Sequence, residues 1–185
     1  MIIRFAQAGD ADEMLNIYKP FIENTATSFE TVVPSTVEFS QRILTYTQKY
    51  PWLVAEINKT IAGYAYASAH RQRDAYQWSV ESSVYVHPSF YRQGIAMKLY
   101  DMLFMLLAEM NFVNVYAGVA LPNEASVTFH ENAGFKHIGI YENVGYKLGA
   151  WHSVLWMVKH IHTHNTNLRA PANIQHVAHL LPHIC

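Results

Sequence analysis

Val84-Tyr85-Val86-His87-Pro88-Ser89-Phe90-Tyr91-Arg92-Gln93-Gly94-Ile95-Ala96 runs from an apolar strand through a short loop into an apolar helix. That order aims several backbone N–H groups, and the positive end of a helix, at one spot. Such a spot suits an anionic group, the diphosphate of a nucleotide among them. Gly94 and Ala96 leave the backbone open to close approach, because their side chains are absent or small. The same order also occurs as an ordinary strand–turn–helix connection, so its meaning depends on what surrounds it.

Working outward, Asn123 to Phe135 predicts a second loop and helix closed by Gly134, followed by a strand. Ile2 to Phe5 predicts a first strand. Asp10 with Glu13, and Ser35 with Glu38 after Pro34, have capping-box spacing, and each opens a helix. The second of these helices is expected to end near Tyr50-Pro51. Trp52 to Ile57 and Ile61 to Ala69, joined at Asn58-Lys59, predict a β-hairpin, and Trp78 to Val86 a further strand. Ile95 to Met110 is apolar nearly all round and should be a buried helix. Val113 to Val119, Phe135 to Ile140 and Ser153 to Val158 complete the strands. The pattern predicts an α+β domain with one mixed, mostly antiparallel sheet flanked by helices.

A chain of 185 residues, 51% hydrophobic and 14% aromatic, is long enough for one well-packed domain. Its formal charge of -1 offers no reason to expect nucleic acid or an anionic membrane as partner. The lone cysteine, Cys185, excludes an intrachain disulfide. The N-terminus lacks the features of a signal peptide, and no apolar run is long enough to span a bilayer, so a cytoplasmic location is expected. Composition changes after Lys159. Residues 1–159 are expected to form the domain, and residues 160–185, with six of the eleven histidines, a loosely ordered tail. His160, His162 and His164 alternate and on a strand would share a face, but no metal is expected.

Glu81 stands mid-strand, where glutamate is disfavoured by propensity, and is the candidate general base. Strand alternation sets it with Ser83 and Tyr85, opposite Val80, Val84 and Val86. Arg71 and Arg73, with Tyr76, lie in the loop before this strand, and two such arginines can clamp a carboxylate or phosphinate. Phe29, Tyr76, Trp78 and Trp151 are candidates for the wall of a small pocket. His130 and His152 are the remaining histidines able to act near neutral pH.

Four stretches together resemble the GNAT superfamily of acetyl-CoA-dependent N-acyltransferases and, within it, the phosphinothricin N-acetyltransferases. They are Tyr50-Pro51-Trp52-Leu53-Val54-Ala55-Glu56, Ala62-Gly63-Tyr64-Ala65-Tyr66-Ala67, Asp74-Ala75-Tyr76-Gln77-Trp78 and Glu81-Ser82-Ser83-Val84-Tyr85-Val86. Leu121-Pro122-Asn123 and Gly149-Ala150-Trp151-His152 add to the likeness, which covers roughly residues 2 to 158. The resemblance implies a GNAT fold, acetyl-CoA as donor, the α-amine of a small amino-acid analogue as acceptor, and a homodimer.

By position it implies Glu81 as general base and Val84, Tyr85 and Val86 as the strand beside the pantetheine arm. Arg92, Gln93, Gly94, Ile95, Ala96 and Met97 would form the diphosphate loop, with Asn123 and Ser126 as further cofactor contacts. Phe29, Arg71, Arg73, Tyr76 and His152 would line the acceptor site, and a bulge at Val84–Val86 would free an amide for the oxyanion. Tyr91 departs from the Gln or Arg usual three residues before the glycine, so Arg92 and the backbone must do more. His130 occupies the position where many relatives carry a tyrosine acid, leaving thiolate protonation to His130 or to solvent. Two other readings stay open: an acetyltransferase for methionine sulfone, methionine sulfoximine or another amine, and a non-catalytic acyl-CoA sensor.

Overall fold

A computed structural model describes residues 1–167 and 169–181. Cys185 lies outside the described residues. In chain order the elements are β1 Ile2–Phe5, α1 Ala11–Asn24, α2 Thr36–Tyr46, β2 Trp52–Ile57, β3 Thr60–Ala69 and β4 Ser79–Val86. After them come α3 Ile95–Glu109, β5 Asn114–Ala120, α4 Glu124–Asn132, β6 Lys136–Lys147 and β7 Ala150–His160. The strands form one sheet in the order β1-β2-β3-β4-β5-β7-β6. β4 and β5 are its parallel pair, and the other neighbours run antiparallel.

Alternation along the strands divides the core between the two faces. Leu53, Ala65, Ala67, Val80, Val115 and Met157 are buried against α3, whose Leu99, Leu103, Leu106 and Leu107 are fully enclosed. Val54, Trp52 and Tyr64 face the other way, against Met14, Ile17 and Ile22 of α1 and Phe39 and Ile43 of α2. Each enclosed leucine contributes about 1.5–3 kcal/mol of burial. At Gly63 a side chain is excluded, since a Cβ there would stand 2.8 Å from the Tyr85 carbonyl on the next strand.

Ser35 and Glu38 form the expected capping box, with the Glu38 amide bonded to Ser35 Oγ and the Ser35 amide to the Glu38 carboxylate. The Asp10–Glu13 box does not form. Arg4 holds Asp10 in a two-pronged pair at 2.7 and 2.8 Å, and Asp10 instead accepts from the Gln7 amide. Glu13 reaches across to accept the Ile61 amide at 2.9 Å. α2 stops at Tyr46, earlier than expected, and tight turns carry the chain on to Pro51. β6 and β7 are longer than the apolar runs suggest, because their exposed, twisted hairpin extends to the turn at Leu148-Gly149.

The histidine-rich end is not a loose appendage over its described length. Ile174, Val177 and Leu181 join the α3 core, Trp78 Nε1 donates to the Arg169 carbonyl at 2.7 Å, and the Ala172 amide bonds the Met110 carbonyl. His160 and His164 both contact Asn114 Oδ1.

Candidate active site

β4 and β5 pair only from Ser79–Asn114 to Glu81–Tyr116, after which they separate. β4 stays in unbroken register with β3 all the way to Val86, opposite Gly63. The free amide expected from a bulge therefore has another origin: the strands fork. The His87 amide bonds the Ala62 carbonyl, so alternation turns the backbone of Tyr85 and Ser83 toward β3. Val84 and Val86 turn theirs into the fork, where β5 no longer supplies partners. Tyr85 is correspondingly not a backbone contact in the fork, and its ring packs on Tyr18, Phe21 and Tyr64.

β4 then leads through a short turn into the N-terminus of α3. Arg92 (φ 61°) and Gly94 (φ 73°) both take left-handed conformations, and Gly94 caps the helix. A Cβ on Gly94 would meet nothing within 4 Å, so conformation demands the glycine and open space lies before it. The amides of Ile95, Ala96 and Met97 begin the helix without intrahelical acceptors. Ile95 anchors the turn in the core, while Arg92 and Gln93 stay exposed. The arrangement fits a diphosphate. Asn123 caps α4 by accepting the Ser126 amide, beside a cavity of about 360 Å³ lined by Leu121, Pro122 and Val127.

Glu81 sits at the apex of the fork, with its side chain 32% exposed. Its Oε1 lies 3.0 Å from His70 Nδ1 and 3.5 Å from Arg71 Nη1. Arg71 also lies over the Trp156 ring, and Tyr76 meets His70 edge-on. His70 and Arg71 line a cavity of about 300 Å³ with Tyr116, Ile140, Tyr141 and Trp156. Of the expected acceptor residues, Arg71 and Tyr76 thus gather at Glu81. Arg73 forms no side-chain hydrogen bond or ion pair among the described residues and stays exposed. Phe29 and His152 form a separate pair, with ring centres 6.3 Å apart. Phe29 covers Gly145, where a Cβ would run into its ring, and His152 Nε2 bonds the Lys147 carbonyl.

His70 was not among the expected site residues. The β3–β4 register sets it diagonal to Glu81 on the same face, a signal readable from the hairpin but masked by its place at the strand end.

His130 lies away from this cavity, on the α3 side of the sheet and 7% exposed. Its Nδ1 bonds the Ser126 carbonyl at 2.8 Å, which requires the proton there, and Nε2 then accepts from the Tyr100 hydroxyl at 3.1 Å. Tyr100 in turn meets Ser82 Oγ, so His130 reaches the fork only through two side chains. Burial lowers its pKa. The unfolded chain then binds the extra proton first, so stability falls as pH drops below the unfolded value of about 6.5. Thermal melts from pH 8 to 5 should show this acid loss reduced in His130→Gln relative to wild type.

Among the described residues no helix is long and apolar enough to cross a membrane, and no three His, Cys, Asp or Glu side chains converge as a metal site.

Residues 3–156 match the family described as acetyltransferase (GNAT) domain. A phosphinothricin N-acetyltransferase of Streptomyces viridochromogenes is 38% identical over 152 residues, covering 82% of this chain and 83% of its own length. The L-methionine sulfoximine/L-methionine sulfone acetyltransferase of Salmonella typhimurium is 31% identical over 168 residues, 89% of this chain and 96% of its own. The crystal structure of a phosphinothricin acetyltransferase from Sinorhizobium meliloti in complex with AcCoA superposes with a TM-score of 0.82 at 31% identity, covering 85% of this chain and 86% of that one.

Proposed function

The chain belongs to the GNAT acetyltransferase family and is an acetyl-CoA-dependent N-acetyltransferase; from that premise we propose that it acetylates the α-amine of a small, anionic amino-acid analogue, with Glu81 as the centre of base catalysis. The observation that carries this reading is the fork. Two strand amides turned into the gap beyond the last β4–β5 pair, a helix start with its first amides free of intrahelical acceptors and one carboxylate are set along a single strand and its exit.

On this reading the α3 start and Arg92 hold the diphosphate, and the amides of Val84 or Val86 receive the developing oxyanion. The Glu81 group removes the ammonium proton before the amine attacks the thioester carbonyl. The thiolate leaves and takes a proton from water, since His130 is sealed behind Tyr100 and Ser82. Arg71, beside the cavity, meets the acceptor's acidic end. Relatives named for phosphinothricin and for methionine sulfoximine and sulfone set the panel to be tried. Thiol release from acetyl-CoA should occur with at least one of these and exceed that with simple alkylamines. Tight acetyl-CoA binding without release from any amine would instead mark a sensor.

We also propose that the protein works in the cytoplasm as a homodimer. The β6–β7 hairpin leaves Val144, Tyr146, Leu148 and Trp151 each at least half exposed, an apolar set that a second copy would cover. Sedimentation equilibrium should return twice the 21.2 kDa chain mass, and a monomer at micromolar concentration would overturn this part.

A further inference from the structure

Resting on that reading and deepening it, we propose that His70 Nε2 is the atom that takes the acceptor's ammonium proton, with Glu81 acting on it through Nδ1. The geometry sets out a base and its orienting group. An ionised carboxylate only accepts hydrogen bonds, so the 3.0 Å contact to Glu81 places the ring proton on Nδ1 and leaves Nε2 with its lone pair. Nε2 has no hydrogen-bond partner among the described residues and is not sealed from solvent. Glu81 Oε1, by contrast, already faces two partners, His70 and Arg71.

The imidazole is also held still. Its side chain is 12% exposed, and its ring lies flat on Tyr116 at 4.1 Å with an interplanar angle of 10°. Trp156 and Tyr76 close on it edge-on at 5.9 and 6.0 Å. A ring fixed on one side by a carboxylate and on its face by an aromatic, at the wall of the acceptor cavity, has the order of parts that activates nucleophiles elsewhere: reacting group, imidazole, carboxylate. Imidazole is also suited to exchanging a proton near neutral pH.

The step balances as follows. An ammonium N–H bond breaks and its proton passes to Nε2. The freed nitrogen pair forms the C–N bond to the acetyl carbon, the C–S bond breaks with its electron pair leaving on sulfur, and the second proton, which the nitrogen sheds as the amide forms, passes through water to the thiolate. The imidazolium returns its proton to solvent. The charged and titratable groups around the ring are Glu81 on β4, Arg71 in the loop, Tyr76 in the following turn, Tyr116 on β5 and Tyr141 on β6.

The test compares His70→Ala, His70→Gln and Glu81→Gln, using phosphinothricin, or the best amine of the panel, as acceptor. Melting curves show whether each variant folds, and calorimetry gives its acetyl-CoA affinity. Both His70 variants should lose about 10²- to 10³-fold in kcat while acetyl-CoA Kd stays within about twofold. Added imidazole should restore His70→Ala severalfold, with no effect on wild type or Glu81→Gln. The inference fails if His70→Gln keeps kcat within about threefold while Glu81→Gln does not, which leaves Glu81 as the direct base. It also fails if only the acceptor KM rises and imidazole restores nothing, which makes His70 a wall. Wild-type protein inert toward every amine would sink this inference together with the reading beneath it.

Discussion

Glu81→Gln is expected to lower kcat/KM for the acceptor by about 10²- to 10⁴-fold, equivalent to about 3–5 kcal/mol of lost transition-state stabilisation. The amide keeps the shape of the side chain and a hydrogen-bonding oxygen near His70, but it removes the charge on which the proposed base catalysis depends. That holds whether the carboxylate accepts the proton itself or supports the imidazole that does. Acetyl-CoA binding should be almost unchanged, because its expected contacts come from the backbone of Val84 and Val86 and the start of α3. Folding should change little as well, since the Glu81 side chain is about one-third exposed and pairs with a half-exposed Arg71. Steady-state thiol release with calorimetric acetyl-CoA titration measures both. A variant within a few-fold of wild type would remove Glu81 from the chemistry.

The second large effect is expected at Gly94→Val. A β-branched residue at φ +73° is strained by about 1–2 kcal/mol wherever it sits. The empty surroundings of the glycine mean that no core contact is broken, so the protein should still fold. The new side chain would occupy the space before the first amides of α3. Losing one or two charge-assisted hydrogen bonds to a diphosphate corresponds to about 3 kcal/mol, or roughly 100-fold in acetyl-CoA KM. At saturating acetyl-CoA, kcat should be within a few-fold of wild type, because Glu81 and the acceptor cavity lie at the other end of β4. An unchanged KM would mean that the diphosphate rests elsewhere.

Much of the fold was legible because its signals are local. Ser35 and Glu38 need only each other to cap α2, and the β2–β3 hairpin is announced by Trp52–Ile57, a two-residue turn and a second apolar run. Glu81 stood out as a charge within an apolar strand. The failures share a cause, which is a distant partner. Asp10 would have capped α1, but Arg4 from β1 takes its carboxylate. The fork between β4 and β5 is a relation between two strands about 35 residues apart in sequence, and no residue within Val84–Val86 declares it. His70 lies one residue past the strand expected to end at Ala69, and its meeting with Glu81 follows only once the β3–β4 register is known. His130 suggested an acid because of its position, yet Tyr100 and the Phe135 ring enclose it. At the C-terminal end, a signal was present and outweighed by composition. Ile174, Val177 and Leu181 recur at spacings of three and four among the histidines, the periodicity of a buried stripe.

That stripe also bears on how far the gene can be shortened. A protein ending at His160 would bare the part of the α3-side core that Ile174, Val177 and Leu181 now help to fill, and would lose the clasp between Trp78 and Arg169 just ahead of Glu81. A stop codon there should yield sticky, protease-prone material instead of a trimmed working catalyst.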